Sequence, residues 1–170
     1  DETSGTAVAD AVGGHHGTLS GGKWTGGKMG GGLQFIRTED KVAIDSAALI
    51  AITNDFTITF WANPKVPRPW TLESEDGAAG KSGQRYAIAP KEPGPVGGVG
   101  LGVSVGINGV SVFGRTAPLL VVDAPLSGWN HITVVYRTRQ PTLYLNGVFE
   151  KAGLKSGQVR PTFDIGGSEF

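Results

Sequence analysis

Seven consecutive residues hold most of the chemistry this chain could offer: Trp70-Thr71-Leu72-Glu73-Ser74-Glu75-Asp76. Pro67 and Pro69 precede the tryptophan, and Gly77, Gly80 and Gly83 follow the acids, so the stretch from Pro64 to Gln84 reads as a long surface loop. An indole beside carboxylates suits sugar recognition. The flat apolar ring stacks on a sugar face while carboxylates accept its hydroxyls. Arg85 and Tyr86 border the same loop and add a cation and a second ring. The ligand-binding candidates are therefore Trp70, Glu73, Glu75, Asp76, Arg85 and Tyr86. The competing reading folds Trp70 back over the core as a lid.

Catalysis finds less support. Glycoside hydrolysis needs two carboxylates held across the scissile bond. Glu73, Glu75 and Asp76 sit in a loop without strand alternation, so they read as a solvated acidic loop. With three His, no Cys and no serine-centred nucleophile motif, other hydrolytic arrangements have no footing. His15 and His16 are adjacent within Gly13-Gly14-His15-His16-Gly17 and read as exposed loop residues rather than transition-metal ligands.

The elements that must position these loops are strands. From Trp129 to Phe149 the chain reads as a meander. Ile132, Val134 and Tyr136 alternate with polar neighbours, a turn follows at Thr138-Arg139-Gln140-Pro141, and Leu143 and Leu145 alternate in turn. Asn146-Gly147 predicts a type I′ hairpin into Val148-Phe149. Gly100 to Phe113 predicts another hairpin about Asn108-Gly109, pairing Ile107 with Val110 and Val105 with Val112. Phe56, Ile58 and Phe60 share one face of a strand whose other face carries Thr57, Thr59 and Trp61. Shorter strands are expected at 18–19, 32–35, 41–44, 85–89, 119–122 and 163–166. Trp24 is too isolated to define an element, and Ser46 to Ala51 makes at most a turn or two of helix. Eight to ten short strands with almost no helix predict an antiparallel two-sheet β-sandwich or jelly roll, one domain over residues 1–170.

Composition narrows the partners. Fifteen basic and fifteen acidic residues balance to zero, so no electrostatic footprint for nucleic acid or an anionic membrane is present. No apolar run approaches the ~20 residues that span a bilayer. The chain lacks cysteine, which removes disulfides and thiol chemistry. Asp1-Glu2-Thr3 begins inside polar sequence and looks like the start of a piece of something longer.

Several stretches together resemble laminin-G-like jelly-roll domains of the concanavalin A-like lectin/glucanase superfamily. They are Asp1 to Thr6, Ala9-Asp10, Gly13 to Leu19, Gly32-Leu33-Gln34-Phe35 and Phe56 to Trp61. Gly128 to Ile132, Leu143-Tyr144-Leu145-Asn146-Gly147 and Ile165-Gly166-Gly167 continue the series in the family's order. The resemblance implies core roles for Trp61 and Trp129, and a structural Ca²⁺ held by Asp10 with backbone carbonyls around Gly13. A hard cation takes six to eight oxygens, and a glycine-rich loop can supply several. The glucanase pattern of alternate acids, Glu-x-Asp-x-x-Glu on a strand, is not met. Family members carry a first and a last strand that these residues do not supply, so the chain is either trimmed or completed by strand exchange with a neighbouring chain or domain. The implied function is a non-catalytic binding module, for carbohydrate or cell-surface adhesion, in a secreted or surface bacterial protein. Its partner would be a glycan or a cell-surface protein. A structural subunit completed by a neighbour is the alternative, and a glucanase-type hydrolase a distant one.

Overall fold

The computed structural model describes residues 2–45, 47–75 and 83–167. In chain order the strands are β1 (Ala7–Val8), β2 (Gly17–Ser20), β3 (Lys23–Gly26), β4 (Gly31–Gln34) and β5 (Lys41–Ile44). Next come β6 (Phe56–Ala62), β7 (Tyr86–Pro90), β8 (Val99–Gly106), β9 (Gly109–Gly114) and β10 (Ala117–Asp123). The last third adds β11 (Asn130–Arg137), β12 (Gln140–Leu145), β13 (Val148–Ala152), β14 (Val159–Arg160) and β15 (Phe163–Gly166). Two 3₁₀ turns, Ala47–Leu49 and Gly94–Val96, are the helical segments among the described residues.

The strands form a jelly-roll-like sandwich. The wide sheet has the order β1-β2-β5-β15-β7-β8-β9-β10, with β14 joined in parallel to β8. The narrow sheet is β13-β12-β11-β6, and β3-β4 is a separate hairpin. Every other pairing is antiparallel, as short turns between alternating runs require. Ile132, Val134, Tyr136, Leu143 and Leu145 of the narrow sheet meet Leu101, Val103, Val110, Val112 and Leu120 of the wide one in a single buried cluster. The meander thus supplies half the core. Trp129, expected there too, is only half-buried.

Turn chemistry decides the registers. Asn146 and Gly147 adopt φ of 52° and 83°, the type I′ pair that joins Leu145 to Val148. Thr138 and Arg139 do the same at 50° and 69°, so the turn is two residues long and Pro141 already lies in β12. Threonine is strained there. The Asp55 carboxylate accepts its N–H at 2.9 Å, and Arg139 N–H reaches the Asn54 carbonyl at 3.2 Å. The β8-β9 hairpin differs from expectation. Val105 pairs with Val110 and Val103 with Val112, because the turn is Ile107-Asn108. Gly109 takes φ of 131° while Asn108 stays negative, and a type I′ turn needs both positive.

Trp24 is not isolated after all. It sits in β3, and its indole N–H donates to the Gly5 carbonyl at 2.7 Å. The hairpin brings Lys28 over Trp61, the ammonium lying 5.3 Å from the ring centroid. Trp61 also corrects the core assignment. It shares the outward face of β6 with Thr57 and Thr59, and its ring lies 4.9 Å from that of His131. His131 in turn hydrogen-bonds Thr59 Oγ1 at 2.8 Å.

Candidate functional site

The loop leaving β6 is fixed where it crosses the β8-β9 turn. Ile107 N–H donates to the Val66 carbonyl at 3.0 Å. Arg68 N–H donates to Asn108 Oδ1 at 2.8 Å, and Asn108 Nδ2 donates back to the Arg68 carbonyl at 3.1 Å. The asparagine side chain thereby acts as a short surrogate strand. Gly106 makes the approach feasible, since a Cβ there would lie 2.8 Å from the Pro67 carbonyl carbon and nearer still to Arg68 N.

Arg68 then turns its side chain inward. The guanidinium donates from Nη1 to the Pro69 carbonyl at 3.2 Å and from Nη2 to the Val122 carbonyl at 3.4 Å. Nη2 also pairs with Asp123 Oδ1. Burial pulls the Arg68 pKa below its usual value, and the Asp123 carboxylate works in the opposite direction. Gln84 adds a hydrogen bond from Nε2 to the same Pro69 carbonyl at 3.4 Å. The residue that follows, Trp70, is left 68 % exposed on this anchored base. Val66, Leu72 and Ile107 are exposed around it. The lid reading of Trp70 therefore fails, since its ring is left in water.

Beyond Trp70 the loop runs along the free edge of β10. Thr71 is buried. Glu73 Oε1 accepts the Val121 N–H at 2.8 Å and pairs with Lys151 Nζ at 2.6 Å. Ser74 N–H donates to the Pro118 carbonyl at 3.0 Å. From the other side Leu154 N–H donates to the Leu119 carbonyl at 2.6 Å. These bonds satisfy an edge that would otherwise be open.

The six ligand-binding candidates consequently part company. Trp70 and Arg85 are both exposed, and the Gln84 bond to Pro69 brings their backbones together. Glu73 is committed to Lys151 and the β10 backbone. Glu75 lies at the far end of β10, on a shallow groove with Arg115, Thr116, Lys155 and Ser156. Asp76 lies outside the described residues. Tyr86 is the clear correction. As the first residue of β7 it pairs with Ser104, while a register shift before Ile88 pairs that residue with Val103, so Tyr86 lies on the sheet face opposite Ile88. It is 3 % exposed and meets Phe113 edge-on at 5.5 Å. Sequence reasoning missed Asp123, a lone acid at a strand end with no local signal linking it to Arg68.

The Asp10 loop is held together by its own hydrogen bonds. Asp10 Oδ1 accepts the Val12 N–H, and Oδ2 accepts those of Gly13 and His15, each at 3.0 Å. These donors, Val12 first and then His15, hold the carboxyl below its usual range. Asp10 N–H donates to His16 Nδ1 at 3.0 Å. A Cβ on Gly13 would come within 2.8 Å of the His15 ring, so the glycine serves this tight turn. Three N–H donors thus already engage the two carboxylate oxygens. Among the described residues no group of three or more His, Cys, Asp or Glu side chains could hold a metal. A calcium ion at Asp10 and Gly13 thus stays a proposal that chelation tests. The turn's own hydrogen bonds predict a melting temperature unchanged by EDTA, and a fall would mean that a cation reorganises the loop.

Against known proteins, a family model described as the concanavalin A-like lectin/glucanases superfamily matches residues 37–168. No curated protein matches the chain. Among solved structures, the chain is similar to domain 4 of AbnA, a GH43 extracellular arabinanase from Geobacillus stearothermophilus, in complex with arabinotriose. The TM-score is 0.59 at 13 % identity, over 96 % of this chain and 79 % of that one. At that identity the likeness carries the fold alone. Among the described residues no helix is long and apolar enough to cross a membrane.

Proposed function

Because the chain belongs to the concanavalin A-like lectin/glucanase superfamily, we propose that it is a non-catalytic extracellular module that binds carbohydrate. One observation carries the reading: Trp70 stands 68 % exposed on a loop tied down by backbone bonds and a buried guanidinium. An indole left in water on a flexible loop loses much of its binding energy to ordering, whereas a held one does not. The similar arabinanase domain, in complex with arabinotriose, supports the saccharide class as the first to try. Secretion, or display on a cell surface within a larger protein, accords with that role.

Trp70→Ala tests it. The side chain is outside the core, so the melting temperature should move by no more than roughly 1–2 °C, as for a surface substitution. Calorimetric titration with arabinotriose, xylotriose and cellotriose should show binding lost or weakened about tenfold, the scale of one stacked aromatic contact. A variant that melts early or binds as well as wild type would overturn the platform.

A second reading has its own observation. β6 ends the narrow sheet, and its core-facing Phe56, Ile58 and Phe60 are only half-buried while their cross-strand partners Tyr136, Val134 and Ile132 are buried. A strand laid on that edge by a neighbouring chain or segment would finish the burial. That reading predicts association rising with concentration in sedimentation velocity. A monomer at every concentration counts against assembly between chains.

A further inference from the structure

We infer that Asp123 is the polar contact residue of the Trp70 site, and that the ligand is a neutral saccharide presenting two adjacent hydroxyls. The inference rests on the carbohydrate reading and gives the platform its chemistry. The Arg68–Asp123 pair is strongly one-sided: the arginine side chain is 1 % exposed and the aspartate side chain 76 %. A pair left wholly in water contributes little to stability, and one buried wholly loses the hydration of both charges. Here the buried member holds the exposed one in a single orientation. Nη2 takes Oδ1, and the rest of the carboxylate faces solvent.

The same guanidinium fixes where that carboxylate stands. Its other arm, Nη1, donates to the Pro69 carbonyl at 3.2 Å, directly before Trp70. The backbone leading into Trp70 and the Asp123 carboxylate are therefore held by two arms of one rigid planar fork. Val66 and Ile107, 45 % and 42 % exposed, lie on the two backbones joined by the Ile107–Val66 bond and leave apolar surface on the same anchored loop and turn. An indole, exposed apolar side chains and a carboxylate suit a sugar ring whose face is C–H and whose edge donates O–H. Oδ2 and the second lone pair of Oδ1 remain to accept a pair of hydroxyls. An anionic sugar would meet like charge at Asp123.

The test is calorimetric titration of wild type, Asp123→Asn and Trp70→Ala with arabinotriose, xylotriose, cellotriose and the anionic trigalacturonate. Asparagine keeps the shape and still accepts from Arg68, so folding is preserved. It should weaken every neutral trisaccharide that wild type binds by about tenfold or more, the worth of a charge-assisted hydrogen bond, and reduce discrimination against trigalacturonate. If Trp70→Ala abolishes binding and Asp123→Asn does not, the Asp123 role falls and the carbohydrate reading stands. If neither variant changes binding, or wild type binds none of the four, both fall. A wild type that prefers trigalacturonate overturns the neutral class. Arg68 acts as a positioning residue for both groups, so Arg68→Met should cost affinity in the wild type and cost less on top of Asp123→Asn, where only the Trp70 anchor remains to lose. Independent, additive losses would reduce Arg68 to a fold residue. Should Arg68→Met fail to fold, the Asp123→Asn titration decides the matter.

Discussion

Gly106→Ala should unseat the Trp70 loop and lower the melting temperature by roughly 10 °C, for a loss of about 3 kcal/mol. The added Cβ would fall on the backbone nitrogen of Arg68, 2.8 Å from the Pro67 carbonyl carbon and 2.7 Å from Asn108 Oδ1. Backbone atoms cannot rotate aside as a side chain can, so one chain segment must retreat. β8 is hydrogen-bonded on both flanks, by β7 and β9, and the loop is not. The loop therefore yields, and with it go the Ile107–Val66 and Arg68–Asn108 bonds and the buried Arg68–Asp123 pair. Saccharide binding should disappear under conditions where circular dichroism still reports intact sheets. Gly26→Ala is the control, since nothing lies within 4 Å of a Cβ there. Thermal melts of the two variants side by side check the contrast. Equal stabilities would mean that the loop does not rest on Gly106.

Arg160→Ala should be as damaging at another place. Arg160 is 8 % exposed, and its guanidinium donates to the carbonyls of Gly97 at 2.9 Å and Val96 at 3.2 Å, and to that of Ile50. One side chain thus holds the Gly94–Val96 turn and the Ala47–Leu49 turn against β14. Among the described residues no carboxylate pairs with it; these backbone carbonyls and Gln158 Oε1, at 3.4 Å, balance its charge. Hydrogen bonds from a charged donor contribute about 1.5–3 kcal/mol each and are not additive; a total near 3 kcal/mol is expected. Arg160→Lys should recover less than half. An ammonium is a point donor and cannot reach carbonyls arranged around a planar fork. Urea unfolding of the three proteins measures this, and full rescue by lysine would show that charge alone mattered.

The strands that carry the core were legible because each is buried on one face. Ile132, Val134 and Tyr136 announce β11 by spacing alone, and Asn146-Gly147 fixes the next register through backbone φ. Where a contact between distant segments overrides local preference, sequence reasoning fails. Asn108-Gly109 reads as a type I′ turn, yet Asn108 is engaged by Arg68 from another loop, and the hairpin shifts by one residue. Trp61 was misassigned for the opposite reason. Its alternation already placed it with Thr57 and Thr59 on the outward face, and the family resemblance set that aside. Trp70 was found because prolines and acids around an indole are a local signal. Asp123 was not, because its meaning lies in an arginine 55 positions earlier. Tyr86 opens β7, where a register shift before Ile88 breaks the alternation that would place its ring.

The segment from Val66 to Ser74 carries a consequence for how such a protein can change its ligand over evolution. Between its anchors at Arg68 and Glu73 only Trp70 and Leu72 are free to vary in water. The anchors themselves close the β10 edge against other chains. Wholesale exchange of the loop, the usual route to new specificity on a sandwich scaffold, would uncover that edge and trade recognition for insolubility. Single replacements at the two free positions carry no such risk. New specificities should therefore arise there one side chain at a time, within a loop whose length and anchors stay fixed.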